Sequence, residues 1–303
     1  MTRVLVCDPV AKEAVEKMQN GGLTVDVKTE MTPEELVATI GGYDAMIVRS
    51  ATKVTKDVIE AGKNLKVIAR GGVGLDNIDL DTAKAEGKTV INTPAASSVS
   101  VAELAMAHML AISRFIPQAN ATMAAGRWDK KKFKGVELYK KTLGVIGIGR
   151  IGREVAKRAL GFEMTVIAYD PYIKQEMLGD FPVRMVAMDE LLEQSDYITL
   201  HMPHNDETHY LLAEAEFAKM KAGVRIVNCA RGGVVKEAAL LEAINSGKVA
   251  FAGIDVFENE PVKGNEFTSL PNVSLTPHIG ASTSDGQFRV GMELAEKLLE
   301  LLG

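Results

Sequence analysis

The stretch TLGVIGIGRIGREVAKRALGFEMTVIAYDP, residues 142–171, holds the strongest structural signal of the sequence. The apolar run 143–146 predicts a β-strand, the residues after Arg150 have helical periodicity, and the run 164–169 predicts a second strand. Between the first strand and the helix lies the glycine pattern G-x-G-x-x-G at residues 147–152. In this context of strand, turn, helix and strand, the pattern predicts a dinucleotide-binding βαβ unit.

The glycines of this pattern have separate expected roles. Gly147 permits a tight turn, Gly149 lets backbone N–H groups approach a pyrophosphate, and Gly152 lets the helix pack closely on the strand. The helix N-terminus favours negative charge. Asp170, 18 residues after Gly152, would accept hydrogen bonds from the adenosine ribose hydroxyls. A 2′-phosphate would face this carboxylate, so the motif predicts NAD rather than NADP, and Lys174 is the nearby cation that argues otherwise.

Composition excludes several classes of protein. The 303 residues are 47% hydrophobic and 25% charged, and 35 basic against 40 acidic side chains give a net charge of −5. This balance is typical of a globular protein and lacks the basic excess used to bind nucleic acid. The longest strongly apolar run, residues 104–112, is far shorter than the roughly 20 residues of a membrane span. We therefore expect a cytoplasmic protein without a nucleic-acid or membrane partner.

Two features of the termini and the cysteines support this expectation. The first residues contain a charged side chain too early for the apolar region of a secretory signal. Cys7 and Cys229 lie far apart and have neither disulfide-framework nor metal-ligand spacing. We expect a reducing compartment and no structural metal.

Strand-like runs alternate with amphipathic stretches along most of the chain, which favours an α/β fold with parallel sheets. In the first third, these runs fall at residues 2–7, 23–27, 45–48, 66–70 and 89–92. Between the second and third of them, residues 33–40 are predicted to form a helix capped by Thr32. A long helix is then predicted from Ser98 to about Phe115, followed by a second helical stretch. From Thr142 a second α/β domain begins, with later strand-like runs at 197–200, 225–228, 251–256 and 273–276. Residues 284–302 predict a final helix that returns to pack on an element already formed.

Three ionisable residues follow strand-like runs of the second domain. They are Arg231, Glu260 and His278, and open parallel sheets bring such groups together at the carboxyl ends of their strands. Oxidation of a 2-hydroxy acid needs a base for the hydroxyl proton while hydride leaves C2, and histidine suits that task near neutral pH. A carboxylate such as Glu260 would hold the ring and stabilise its cationic form. Arg231 would bind a substrate carboxylate through two hydrogen bonds.

The histidines also allow ordinary structural interpretations. His278, taken alone, fits a simple hydrogen-bonding role as well as a catalytic one. His201, His204 and His209 have spacings of three and five that resemble a metal site only loosely, without a helical frame. His108 lies inside an apolar helical run and is predicted to be a packed core or interface residue. No metal site is predicted.

Several longer segments, in the same order, extend these motifs into a family resemblance. They are VRSATKVT (48–55), ARGGVGLDNIDL (69–80), NTPAASSVSVAELA (92–105), RWDKKKFKG (127–135), NCARGGVV (228–235), DVFENEP (255–261) and PHIGAST (277–283). The chain resembles the D-isomer-specific 2-hydroxyacid dehydrogenase family along essentially its whole length. The resemblance implies two doubly wound parallel-sheet domains, with a Rossmann NAD domain (96–281) inserted into a flavodoxin-like substrate domain (1–95 and 282–303). It also implies a cleft between the domains and a homodimer through the NAD domains, and leaves open whether dimers pair into tetramers.

The resemblance assigns residues to the site position by position. Arg231, Glu260 and His278 become the catalytic trio. The cofactor-contacting positions are Val73, Gly147, Gly149, Arg150, Ile151, Gly152, Asp170, Met202, Cys229, Ala230, Asp255, His278, Ile279, Gly280 and Ala281. The substrate-contacting positions are Arg49, Ser50, Arg70, Gly71, Gly72, Ser97, Arg114, Arg231 and His278.

Within the family, the segments are most similar to members that oxidise 3-phosphoglycerate to 3-phosphohydroxypyruvate with NAD, the first step of serine biosynthesis. Arg49 and Arg70 match candidate cations for the phosphate, although both could simply cap strand ends. Arg114 matches a position that reaches the site of a neighbouring subunit. Many phosphoglycerate-specific members carry Gly-Asn where this chain has Ala96-Ser97. The Ser97 hydroxyl is able to donate one hydrogen bond, and the substitution leaves this phosphate contact open.

Two other functions stay open on the sequence. An unphosphorylated 2-hydroxy acid such as glycerate, or hydroxypyruvate in the reverse direction, needs the same trio without the phosphate cations. Corepressor proteins with this fold retain a catalytic-like trio and act as NAD-sensing scaffolds. We do not expect that function here, because the sequence has no extended tail or linker. The chain ends at Gly303, so we expect no feedback through C-terminal regulatory domains.

Overall fold

The computed structural model describes residues 2–303. The chain forms two compact units, one of residues up to Ser98 together with Ala281–Gly303, the other of Val99–Gly280. We call them the first and the second unit. Each is built around one parallel β-sheet, of five and seven strands respectively. The predicted fold class, two doubly wound parallel-sheet domains, is confirmed.

The first unit contains a flavodoxin-like sheet. Its strands are β1 (Arg3–Val6), β2 (Thr24–Val27), β3 (Ala45–Val48), β4 (Val67–Arg70) and β5 (Thr89–Asn92). Its first four helices are α1 (Lys12–Asn20), α2 (Pro33–Ile40), α3 (Lys56–Ala61) and α4 (Leu80–Ala85). The strand order is β2-β1-β3-β4-β5, and all pairs are parallel. All four residues of β3 are buried, as expected of a parallel strand covered on both faces.

Local signals explain why the helices of this unit begin where they do. At the start of α2 the Thr32 hydroxyl accepts a hydrogen bond from the Glu35 N–H (3.3 Å), and the Glu35 carboxylate accepts one from the Thr32 N–H (2.8 Å). Pro33 occupies the first turn, where a missing N–H removes no helical hydrogen bond. This reciprocal cap accounts for the agreement between the predicted and observed bounds of α2.

The second unit contains a Rossmann-type sheet. Its strands are β6 (Thr142–Ile146), β7 (Thr165–Tyr169), β8 (Arg184–Met185), β9 (Tyr197–Leu200), β10 (Val224–Asn228), β11 (Val249–Ile254) and β12 (Val273–Leu275). Its helices are α5 (Ser98–Arg114), α6 (Ile116–Ala124), α7 (Arg150–Gly161), α8 (Met188–Gln194), α9 (Glu214–Lys219) and α10 (Glu237–Asn245), with short 3₁₀ turns at Lys130–Lys132, Gln175–Leu178 and Glu266–Ser269. The order is β12-β11-β10-β9-β6-β7-β8. From β6 the chain adds β7 and β8 on one side and then returns to add β9 on the other side, with all strands parallel. Sheets of this kind bind ligands at the point between β6 and β9 where the strand order reverses.

Helices α5 and α6 are separated by Phe115, whose φ of 57° ends the first helix. The two helices are bent by 67°. Within residues 2–303 no single helix is long and apolar enough to cross a membrane, and only this bent pair reaches the required length and apolarity, when both helices are taken together.

The last helix, α11 (Ser284–Leu302), belongs to the first unit. Its N-terminus is capped by Thr283, whose hydroxyl accepts a hydrogen bond from the Gly286 N–H at 2.9 Å. It packs against α1 and β4, and Leu294 and Leu298 are fully buried there. The prediction that residues 284–302 return to an earlier element is confirmed.

Candidate active site

The glycine turn after β6 is shaped by close approaches of the backbone. Gly147 has a φ of 90°, and a Cβ there would lie 2.5 Å from the His201 carbonyl oxygen. A Cβ on Gly152 would lie 2.1 Å from the Gly147 carbonyl oxygen, so α7 can pack on the turn only without a side chain at that position. Gly149 differs, because a Cβ there would meet no heavy atom of residues 2–303 within 4 Å. Two glycines therefore allow packing, and the third faces open space.

This open space adjoins the N-terminus of α7. Gly149 occupies the capping position and has no side chain to satisfy the first N–H groups of the helix. Asp170, directly after β7, accepts hydrogen bonds from the N–H groups of Ile148 (3.0 Å) and Tyr172 (2.9 Å), which hold its carboxylate beside the turn. Helix N–H groups suit a pyrophosphate, and a fixed carboxylate suits ribose hydroxyls. The residues present fit a dinucleotide.

The carboxyl ends of the later strands bring two of the predicted catalytic side chains into contact. His278 Nδ1 lies 2.7 Å from Glu260 Oε2, and Glu260 Oε1 accepts a hydrogen bond from the Phe257 N–H at 2.9 Å. The side chains of His278 and Glu260 are 43% and 34% exposed. Because Nδ1 faces the carboxylate, Nε2 is the ring nitrogen that can exchange a proton with a substrate.

The charge state of Glu260 follows from this environment. Burial alone would raise the pKa of its carboxyl, but the hydrogen bonds from His278 and from the Phe257 N–H, with the charges of His278 and Arg231, hold the pKa below its ordinary value. An ionised carboxylate is the form that orients an imidazole and stabilises its protonated state.

The backbone at His278 has an unusual conformation. Its φ is 54°, in the left-handed region, which costs a non-glycine residue about 1–2 kcal/mol. Asp255 holds this turn, since its carbonyl oxygen accepts the His278 N–H (2.8 Å) and its carboxylate accepts those of Ile279 and Gly280 (both 2.8 Å). Asp255 is 1% exposed. Its position as a predicted cofactor contact stays a prediction, while its role in the turn is visible.

Arg231 lies in the loop that follows β10. Its Nη1 donates to the Ala230 carbonyl oxygen at 2.7 Å, and Asn228 Nδ2 donates to the Arg231 carbonyl oxygen at 3.1 Å. A Cβ on Gly232 would lie 1.8 Å from the Phe257 carbonyl oxygen. The Arg231 loop therefore packs directly on the loop that carries Glu260, and the structure brings all three predicted catalytic residues to one end of the sheet.

In the first unit, Arg49 follows β3 and is partly buried. Its Nη1 donates to the Pro9 carbonyl oxygen at 3.3 Å, whereas its Nε is buried with no hydrogen-bond partner in the described part of the chain. Burial lowers the pKa of Arg49, and the charge of Asp8 partly offsets this. Asp8, buried two residues after the end of β1, accepts hydrogen bonds from the Arg49 N–H and from the Thr52 side chain. Sequence reasoning missed Asp8, although a charged residue shortly after a buried strand was the available signal.

Arg70 ends β4 beside two glycines predicted to contact substrate. The Gly71 N–H donates to the Val48 carbonyl oxygen (2.7 Å) and the Gly72 N–H to the Thr93 hydroxyl (2.8 Å), so both amides are used within the fold. Gly72 has a φ of 137°, and a Cβ there would lie 1.6 Å from Arg70 Nη1. The visible role of Gly72 is to give space to the Arg70 guanidinium.

The other predicted site residues differ in exposure. In the first unit, Ser50 and Val73 are exposed, Ala281 is partly buried and Ser97 is buried. In the second unit, Arg114, at the end of α5, Arg150 and Ile279 are exposed, Met202 and Ile151 are partly buried, and Cys229 and Ala230 are buried. Burial, with the charge of Asp255, raises the pKa of the Cys229 thiol well above its ordinary value, which fits a wall residue rather than a nucleophile.

The remaining histidines fall into two groups. His108 is 3% exposed and packed in the core of the second unit, one of the two positions predicted for it. His201 has a buried Nδ1, and burial lowers its pKa to about 3. His204 Nε2 and His209 Nδ1 lie 3.0 Å apart on an exposed loop.

Comparison with known proteins identifies the family. Residues 106–280 match the family described as D-isomer specific 2-hydroxyacid dehydrogenase, NAD binding domain. The chain belongs to this family. The matched residues include the glycine turn, Asp170 and the three residues predicted to be catalytic, and NAD is confirmed as the cofactor of this domain.

Three proteins similar to this chain illustrate the range of the family. A hydroxypyruvate reductase from Thermotoga maritima is 52% identical over 99% of this chain and 98% of that protein. A D-3-phosphoglycerate dehydrogenase from Archaeoglobus fulgidus is 50% identical over 99% of this chain and 57% of that protein. The solved D-lactate dehydrogenase from Aquifex aeolicus, complexed with NAD and lactic acid, is 31% identical with a TM-score of 0.86 over 99% and 95% of the two chains. The chain thus spans little more than half the length of the phosphoglycerate dehydrogenase it matches.

Proposed function

We propose that this dehydrogenase oxidises D-3-phosphoglycerate to 3-phosphohydroxypyruvate, and catalyses the reverse reduction, with NAD. The observation that carries the proposal is the 2.7 Å contact between His278 Nδ1 and Glu260 Oε2 beside the Arg231 loop, within an NAD-binding domain. An imidazole, a carboxylate and a guanidinium are the groups that 2-hydroxy acid oxidation requires.

Each residue of the trio has a defined task in this chemistry. NAD, when bound, accepts the hydride that leaves C2 of the substrate. His278 takes the hydroxyl proton through Nε2, and Glu260 stabilises the positive charge that the ring then carries. Arg231 binds the substrate carboxylate and polarises the developing carbonyl oxygen. In the reverse direction His278 returns the proton.

Two arginines of the first unit support a phosphorylated substrate. A phosphate dianion needs cationic donors in addition to those that bind the carboxylate. Arg49 Nε is buried without a partner in residues 2–303, and a bound anion would supply one. Arg70 supplies a second guanidinium, which Gly72 leaves room for. The name of the Archaeoglobus fulgidus relative, a D-3-phosphoglycerate dehydrogenase, favours the same substrate.

Hydroxypyruvate reduction is the second candidate function. It is favoured by the hydroxypyruvate reductase of Thermotoga maritima, which matches this chain over 98% of its own length. It is also consistent with Ala96-Ser97 at the position where many phosphoglycerate-specific members carry Gly-Asn, and with the burial of Ser97.

The deciding experiment compares substrates in both directions. NAD reduction is measured with 3-phosphoglycerate, glycerate and D-lactate at alkaline pH, and NADH oxidation with phosphohydroxypyruvate and hydroxypyruvate. A kcat/KM in favour of the phosphorylated pair supports the proposal, and a preference for hydroxypyruvate replaces it with the second candidate. Tight NADH binding without turnover of any acid would instead indicate an NAD-sensing scaffold.

A variant of Arg49 tests the phosphate role directly. Arg49→Gln removes the charge and the guanidinium but keeps a polar side chain, so KM for phosphohydroxypyruvate should rise on the order of tenfold or more. Lys56→Gln, which removes an exposed cation of the same unit, is the control and should leave KM unchanged. An equal rise in KM for hydroxypyruvate would show that Arg49 does not bind the phosphate group.

We also propose a cytoplasmic homodimer in which Arg114 serves the partner's site. The near-neutral composition and the exposed position of Arg114 at the end of α5 support this. Light scattering measures the molar mass and so the number of subunits. Mixing Arg114→Ala with His278→Asn subunits would restore activity only if Arg114 acts across subunits.

A further inference from the structure

His108, on α5, connects that helix to the strand that leads into the His278 turn. The histidine is 3% exposed, and both of its ring nitrogens have partners. Nδ1 lies 3.0 Å from the Ser274 hydroxyl and Nε2 lies 3.0 Å from the Thr276 hydroxyl. Ser274 belongs to β12, and Thr276 precedes the His278 turn by two residues. A buried polar ring thus bridges two hydroxyls in the interior of the second unit.

The neighbouring strand is adapted to this ring. Gly253 of β11 pairs with Ser274 of β12. A Cβ on Gly253 would lie 2.7 Å from His108 Cβ and 2.9 Å from His108 Cγ. Gly253 therefore leaves the space that His108 occupies. The buried imidazole depends on residues of both α5 and β11.

The hydrogen bonds beyond the ring have only one consistent direction. The Thr276 hydroxyl donates to Asp255 Oδ1 at 2.6 Å, and it can donate only one hydrogen. It must therefore accept from His108 Nε2–H, which leaves Nδ1 to accept from the Ser274 hydroxyl. Burial lowers the pKa of His108, partly offset by the charge of Asp255, which agrees with a neutral ring. The tautomer of His108 with its proton on Nε2 therefore satisfies every hydrogen bond from Ser274 through Thr276 to Asp255.

This chain of hydrogen bonds ends at the carboxylate that holds the active-site turn. Asp255 accepts the N–H groups of Ile279 and Gly280 together with the Thr276 hydroxyl. We propose that His108 is a positioning residue, which through the Thr276 hydroxyl orients the Asp255 carboxylate and so maintains the left-handed backbone of His278. The importance of that turn for turnover rests on the proposed function, so the test needs a readout that is independent of substrate.

Hydrogen exchange at the Ile279 and Gly280 amides supplies this readout. His108→Met removes both ring contacts, while His108→Gln keeps an N–H donor near the position of Nε2. Ser274→Ala is the matched control, because it removes only the contact at the far ring nitrogen. His108→Met should speed exchange of the two amides roughly five- to tenfold, the effect of losing one ordinary hydrogen bond. Ser274→Ala should lower the thermal midpoint without this local effect, and His108→Gln should restore most of the protection.

Two further measurements keep the test decisive. The ring ¹⁵N shifts of His108 should show the proton on Nε2, and a proton on Nδ1 would overturn the proposal. If His108→Met does not fold, Thr276→Val interrupts the same chain one step closer to Asp255 and should speed exchange at the same amides. Unchanged exchange in these variants, or equal acceleration in Ser274→Ala, would show that His108 is only a packing residue. Turnover with the expected acid would then still stand, so the two proposals fail separately.

Discussion

Two histidines of the second unit have opposite environments. His278 is 43% exposed at its side chain and faces the Glu260 carboxylate, whereas His108 is 3% exposed and faces two hydroxyls. A carboxylate partner and access to water allow a ring to gain and lose a proton, while burial between hydroxyls favours a permanently neutral ring. The comparison shows that two histidines of one unit differ in partner and burial, and on this difference we base the proposal that His278, rather than His108, transfers a proton.

Replacement of His278 should give the largest effect. His278→Asn removes the base and retains a polar side chain, so kcat should fall by about 10²–10⁴-fold, the usual contribution of general base catalysis. NADH affinity should change far less than kcat, because most predicted cofactor contacts, including the glycine turn and Asp170, are untouched. Steady-state kinetics and NADH fluorescence titration measure the two quantities. His209→Asn, on an exposed loop of the same unit, is the control, and wild-type turnover by His278→Asn would remove His278 from the mechanism.

Replacement of Glu260 should give the next largest effect. Glu260→Gln keeps the size of the side chain and an oxygen for the Phe257 N–H, but it removes the charge that stabilises a protonated His278. The loss in kcat should be on the order of 10²-fold. Glu266→Gln, at an exposed carboxylate of the same unit, is the control and should leave kcat unchanged. A kcat within twofold of wild type would mean that His278 works without its carboxylate.

The features predicted from sequence are those with local causes. The glycine turn follows from a strand, three glycines and a helix within 30 residues. The α2 cap follows from Thr32, Pro33 and Glu35, which lie within four consecutive residues. His278 and Glu260 are 18 residues apart, and they were predicted together because each follows a strand of one parallel sheet.

The features that escaped prediction depend on contacts between distant residues. His108 and Thr276 are separated by 168 positions, and no local pattern reveals that a helix residue meets a strand end. Asp8 and Thr52 are 44 positions apart. Strand β8 has only two residues, too few for any periodicity. The Gly71 and Gly72 amides donate to residues 23 and 21 positions away, and these contacts also have no local sequence signal.

Replacement of Gly253 tests whether the sheet needs the space beside His108. Gly253→Ala would place a Cβ 2.7 Å from His108 Cβ, and the overpacking should lower the free energy of unfolding by about 1–3 kcal/mol. Gly161→Ala, at the end of α7, is the control, because a Cβ there meets nothing within 4 Å in the described structure. Urea denaturation of the two variants measures the difference. Equal stability of both would mean that the sheet does not need the space beside His108.

The pH dependence of stability should show the smallest effect and tests the neutral state of His108. Burial lowers the pKa of His108 in the folded protein, while the unfolded chain has the ordinary value of about 6.5. Between these two values the unfolded chain binds a proton that the folded protein does not, so stability falls as pH decreases below about 6.5. His108→Met lacks this linkage, and His201, whose pKa burial also lowers, contributes equally to both proteins. The thermal midpoint of the wild type should therefore fall more steeply than that of His108→Met between pH 7 and pH 5 (about one unit either side of the ordinary histidine pKa). Parallel curves would mean that His108 carries the same proton in both states, contrary to the contrast with His278.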